Sequence, residues 1–169
     1  VIDEEAEDDL MKLAGLGESD LYGRVFATAK SRATWLTVNL GTAVLASLVI
    51  GLFEATLSQA VALAVLMPIV ASMGGNAGMQ TLTVAVRALA MKDLSATNAL
   101  RFIGKECLVG LSNGLLFAVL TGAVAWLWFG RADIGVIIGL AMIVNMLIAG
   151  LSGTLIPLAL EKLKIDPAV

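Results

Sequence analysis

Histidine is absent from all 169 residues, and cysteine occurs once, at Cys107. The first absence removes the commonest general base and the commonest transition-metal ligand. The second excludes an internal disulfide framework. Charge is scarce: Asp, Glu, Lys and Arg make up 15% of the chain, against 59% hydrophobic residues and a mean hydropathy of +0.92. A soluble globular domain carries about 25% charged residues, so the composition places the chain in a membrane. The opening residues are acidic, and the first apolar run is too long and too late for a signal peptide.

The charges that remain divide the chain. Residues 33–53, 55–86, 107–130 and 134–160 contain no Asp, Glu, Lys or Arg. Crossing a hydrocarbon core takes about 20 apolar residues of helix. Each run therefore holds one span and none holds two, with spans expected near 33–53, 58–86, 107–129 and 134–160. Ten-residue stretches of alternating polarity, the mark of a membrane barrel, are missing. The expected fold is an all-α polytopic helical bundle of four transmembrane helices. A charged segment, residues 1–32, is expected on the cytosolic side, and residues 33–169 after it are expected to form the transmembrane domain. Within the first part, Leu21 to Arg32 reads as an amphipathic helix at the inner membrane surface.

Ten of the 11 basic residues precede span one, separate spans two and three, or follow span four; Arg131 is the exception. The excess of Lys and Arg marks the cytoplasmic side, so both ends are expected in the cytoplasm of a cell with the protein in its inner membrane. Trp126, Trp128 and Phe129 then lie at the outer end of span three, as an interfacial aromatic belt. Small residues recur four apart at Gly74 and Gly78, Gly110 and Gly114, Gly135 and Gly139, and Ala149 and Gly153. Such pairs allow membrane helices to approach closely. Pro68 and Pro157 lie within spans two and four, where each is expected to kink its helix.

Span two carries a polar interruption, Pro68-Ile-Val-Ala-Ser-Met-Gly-Gly-Asn-Ala-Gly-Met-Gln-Thr-Leu-Thr83. Asn76, Gln80 and Thr83 are spaced to share one helix face, and Gly74-Gly75 weakens the helix at that level. Polar groups within a span face a bundle interior or a water-filled path, and carbonyls released by local unwinding would ligate or guide a cation. The same residues also fit a glycine-rich packing seam with amides bonded between helices. No carboxylate falls within the four runs, so no charged site is expected inside the membrane. Near the start, eight of the 14 acidic residues lie in the first 20 positions. On a helix, Glu5, Asp8 and Asp9 would repel one another. Either a divalent cation relieves that repulsion, or the segment is a solvated acidic helix start favoured by the helix dipole.

The span-two stretch, continued by Val-Arg-Ala-Leu-Ala and Lys-Asp-Leu, resembles the second transmembrane helix of the MgtE family of magnesium channels. Lys105-Glu106, the stretch from Asn145 to Pro157 and the following Lys-Leu-Lys-Ile-Asp-Pro-Ala resemble the family as well. The first ten residues resemble its junction between a CBS domain and the connecting helix. The resemblance implies a homodimer with five transmembrane helices per subunit, helices two and five lining the pore, and cytosolic amino-terminal and CBS domains that sense magnesium. It implies Mg2+ as both transported and regulatory ion. Glu5, Asp8, Asp9 and Asp166 would be metal-binding, and Gly74, Gly75, Asn76, Gln80 and Thr83 pore-lining. The family's fifth helix would start just after Val169, so the chain is expected to be a fragment without that helix and without the regulatory domains. The implied partners are a second copy, membrane lipid and those missing domains, not nucleic acid.

A transporter of another divalent ion, such as cobalt or manganese, is a rival in the same class; the lack of histidine and of clustered sulfur ligands argues against soft-metal selection. A membrane-embedded enzyme would need nucleophiles or paired carboxylates within the spans. A non-conducting scaffold is the remaining rival. The basic-residue asymmetry makes a direct prediction: a cysteine placed at position 131 reacts with an impermeant thiol reagent added outside, and one at position 92 does not. The opposite pattern would invert the topology.

Overall fold

The computed structural model describes residue 11, residues 25–95 and residues 97–164. Among the described residues there are no strands. Five helices follow in order: α1 (Val25–Gly51), the short α2 (Glu54–Gln59), α3 (Val61–Ala90), α4 (Ala99–Phe129) and α5 (Ala132–Lys162). All except α2 are long and apolar enough to cross a membrane. The three later spans contain 30 or 31 residues, or about 45 Å at the helical rise of about 1.5 Å per residue. They exceed the hydrocarbon thickness, so their ends reach into the interfacial layers.

Several expected boundaries move. The helix of the first span begins by Val25 and passes through Arg32 without a break, so the described part of the amphipathic segment is continuous with the span. α3 is unbroken across Gly74-Gly75, and Pro68 and Pro157 sit inside continuous helices. The expected weakening of span two is therefore absent. A helix in lipid satisfies its backbone groups internally, and a glycine pair removes side chains without removing any hydrogen bond.

α5 is the hub. It packs extensively against both α3 and α4, whereas those two make few close approaches to each other. The α4 face is built on small residues. A methyl group added at Gly135 would lie 2.6 Å from the Gly122 carbonyl oxygen, and one at Gly110 would lie 2.9 Å from that of Met146. Gly114 meets Ile143 and Gly139 meets Ala118, so the two helices run antiparallel. On the other side, Gly74 meets Asn145, Gly78 meets Ala149 and Leu82 meets Gly153 at a constant offset, so α3 and α5 run parallel. Both directions agree with spans that cross alternately. At one end of the bundle, Leu66, Ala125, Ile134 and Ile138 close an apolar core.

The connections are short. Gly130, with φ of 66°, ends α4 and lets the chain turn at once into α5. The carboxyl end of α3 closes with Lys92 in the left-handed region (φ 61°) and the Asp93 amide donating back to the Ala88 carbonyl, a helix-terminating pattern that usually employs glycine. Asn98 holds the following loop, donating to the Asp93 carbonyl at 2.7 Å and accepting from the Ser95 amide at 2.8 Å.

α1 stands apart, with nearly every described side chain exposed. Thr34, Thr37, Thr42 and Ser47 each donate to a carbonyl one turn back in the same helix. Those hydroxyls are thereby satisfied within the helix.

The glycine contacts yield a stability contrast. Gly135→Ala and Gly153→Ala force a methyl group into opposing backbone and should each destabilise the bundle by about 1–3 kcal/mol. Gly41→Ala on open α1 should be neutral or stabilising by up to about 1 kcal/mol, since nothing lies within 4 Å of the added atom. Apparent melting temperatures in detergent check this; equal shifts for all three would remove the packing argument.

Candidate ion-path face and its supporting contacts

The sequence of α3 sorts its polar residues onto two faces. Gly74, Thr81 and Ala85 are buried at helical spacing on the side turned towards the bundle, with half-buried Gly78 between them. On the opposite side, Ser72, Asn76, Gln80 and Arg87 are exposed and Thr83 is half-buried. Their spacings of three and four residues make a continuous stripe along the helix. Uncovered amide and hydroxyl groups in hydrocarbon are costly, so this stripe requires a polar partner surface or water.

Of the expected pore-lining residues, exposed Asn76 and Gln80 and half-buried Thr83 therefore share the outward side, with exposed Gly75 at its flank. Gly74 lies on the other side, pressed beneath the Asn145 side chain of α5. Any larger residue at 74 would displace that amide. Asn145 Nδ2 donates to the Val70 carbonyl oxygen at 2.6 Å, fastening α5 to α3. Ser72 and Arg87 were not among the expected residues. Their signal was the extension of the Asn76–Gln80–Thr83 spacing by one turn in each direction.

Glu106 is the main departure from the sequence reading. The uncharged-run boundaries put it, beside Lys105, at the opening of span three. In the structure α4 begins at Ala99, and Glu106 is buried within it at 7% exposure. Thr81 Oγ1 donates to Glu106 Oε2 at 2.9 Å, and Lys105 Nζ lies 3.6 Å from the other carboxylate oxygen. Gly150 allows the Glu106 backbone to come close to α5. Next to this pair, Gln80, Thr81 and Asn113 help to line a cavity of about 20 Å³, room for about one water molecule.

The described residues contain no group of three or more Cys, Asp or Glu side chains placed to hold a metal ion. Glu5, Asp8, Asp9 and Asp166, expected as metal-binding, lie outside the described residues. At the far end of α4, Trp128 stacks on Phe129 with ring centroids 5.6 Å apart, and Trp126 is exposed. Beyond them, Arg131 pairs with Asp133.

Comparison with known proteins gives this geometry a context. The MgtE family model, described as a divalent cation transporter, matches residues 67–169. The magnesium transporter MgtE of Bacillus subtilis is 34% identical over 170 residues, covering 100% of this chain and 38% of that protein. That of Enterococcus faecalis is 37% identical over 169 residues, covering 100% of this chain and 37% of the relative. That of Thermus thermophilus is 33% identical over 173 residues, with coverage of 100% and 38%. The chain thus spans less than two fifths of the length of these relatives. With the family model matching from within α3 to the last residue, and with whole-chain identity to three magnesium transporters, this chain belongs to the MgtE family of divalent cation transporters.

Proposed function

We propose that the chain is the membrane part of a magnesium-selective channel of the inner membrane, working as a homodimer and gated by cytosolic magnesium. The observation that carries this reading is the polar stripe of α3, turned away from α5 in a helix long enough to span the bilayer. A second copy facing that stripe would cover it from lipid and enclose a polar path. Asn76 and Gln80 present amides rather than carboxylates, which suits an ion that keeps its water. Magnesium dehydrates reluctantly, so these groups would contact the hydration shell. Transport then runs down the electrochemical gradient without chemistry on a substrate. An inside-negative potential contributes about 2.3 kcal/mol per charge per 100 mV.

The names of the three relatives support magnesium as the substrate. The test is flux through the full-length protein in liposomes. Asn76→Leu should lower magnesium flux by about tenfold or more, while leaving expression and dimer intact. Wild-type flux from a normally expressed Asn76→Leu protein would reduce the amide to packing.

Gating is assigned to the acidic segment. Without a bound cation, Glu5, Asp8 and Asp9 repel one another and the acids of the regulatory domains. Magnesium bridges them and favours the closed arrangement, and Asp166 joins this set near the pore entrance. The ion shifts the balance only through tighter binding to the closed state. Millimolar magnesium should therefore protect residues 3–20 of the full-length protein from protease, and replacing Asp8 and Asp9 with Asn and Gln should abolish the protection. Equal cleavage of the wild type with and without magnesium would remove this segment from gating.

A further inference from the structure

Glu106 has no place in the ion path just described, because it is buried on the opposite side of α3 from the stripe. A carboxylate within a membrane helix is expensive to keep, and an apolar residue would pack the same space at lower cost. Its partner is informative. Thr81 immediately follows Gln80, and successive residues of a helix point about 100° apart. Holding Thr81 therefore fixes where Gln80 points. A second hold lies at Val70, whose carbonyl accepts from Asn145. Val70 and Thr81 are three helical turns apart and share one face of α3. Among the described residues, these are the two side-chain hydrogen bonds between the packed helices α3, α4 and α5. Glycine contacts set how near α3 approaches α5, but smooth glycine surfaces resist rotation weakly. The two hydrogen bonds supply direction at two depths.

We propose that Glu106 is a positioning residue: by accepting the Thr81 hydroxyl it fixes the rotation of α3, so that Asn76 and Gln80 face the ion path. The role rests on the proposed path along the stripe. It assigns no contact between Glu106 and the ion. The neighbouring cavity, bordered by Gln80 itself, places the tether within one residue of the face it orients.

The experiment uses the full-length protein with Cys107→Ser as background. Magnesium flux into liposomes is measured for Thr81→Val, Glu106→Leu, their combination and Glu106→Gln. In parallel, Ser72→Cys reports rotation of α3 through its rate of modification by a water-soluble thiol reagent. Thr81→Val keeps the shape of the side chain and loses only the donor. It should lower flux about tenfold and change the modification rate at position 72 about threefold, with gel filtration unchanged. The combination should be no worse than either single variant, as expected for two ends of one interaction. Glu106→Gln keeps a carbonyl acceptor for Thr81 and should restore most of the flux. Wild-type flux and labelling in Thr81→Val overturn the proposal, even where Glu106→Leu fails to fold. A silent Thr81→Val beside a Glu106→Gln as impaired as Glu106→Leu also overturns it, and transfers the role to the charge. A wild-type protein that carries no magnesium, yet whose labelling still shifts with Thr81→Val, sinks the ion path and keeps the tether.

Discussion

Close backbone contact along α5 is the constraint on which the bundle depends. In lipid, helices gain little from burying apolar side chains against one another, because the surrounding tails are equally apolar. Association must come from intimate packing and from hydrogen bonds. α5 meets this requirement on two sides, with Gly135, Gly139 and Gly150 towards α4 and Gly153 towards α3. Its neighbours reciprocate with Gly110, Gly114 and Gly122 on α4 and Gly78 on α3. This double seam also explains why α3 and α4 need touch each other so little.

Once α5 holds α3 by one face, the opposite face is committed. The residues that would be costly in lipid have been divided between the two. Thr81 is turned inward to a carboxylate, while Ser72, Asn76 and Gln80 are turned outward. Inward polar groups are paired, so they define orientation and not a path. Outward groups are left to meet something polar beyond this bundle. The chemistry of the proposed path thus follows from packing on the other side of the same helix.

How far the sequence disclosed this differs by feature. Span number and order were legible because charges in hydrocarbon are so costly that uncharged runs delimit helices. Span ends were less legible, since a helix continues beyond the hydrocarbon: α4 begins eight residues before the uncharged run. That difference hid Glu106, which charge-run reading places at a mouth and the fold places in a helix interface. The i, i+4, i+7 spacing of Asn76, Gln80 and Thr83 identified the stripe, because helical periodicity depends only on local geometry. The role of Gly74 was not accessible in the same way, as it depends on Asn145, which lies in another helix. The expected opening at Gly74-Gly75 failed for a related reason: glycine permits a break, but the hydrogen-bond demand of lipid and the cover from Asn145 favour the continuous helix.

The central place of α5 also sets an order of assembly. Chains are made from the amino terminus onward, so α3 and α4 enter the bilayer before the helix that joins them. Until α5 arrives, the flat glycine surfaces of both lie against lipid, and the carbonyl of Val70 lacks its amide partner. Among the described residues, Thr81–Glu106 is the side-chain hydrogen bond between packed helices that does not involve α5. Both seams run along α5, so neither can close before that helix is in place. The helix that joins the bundle is thus the last of the described helices to be made.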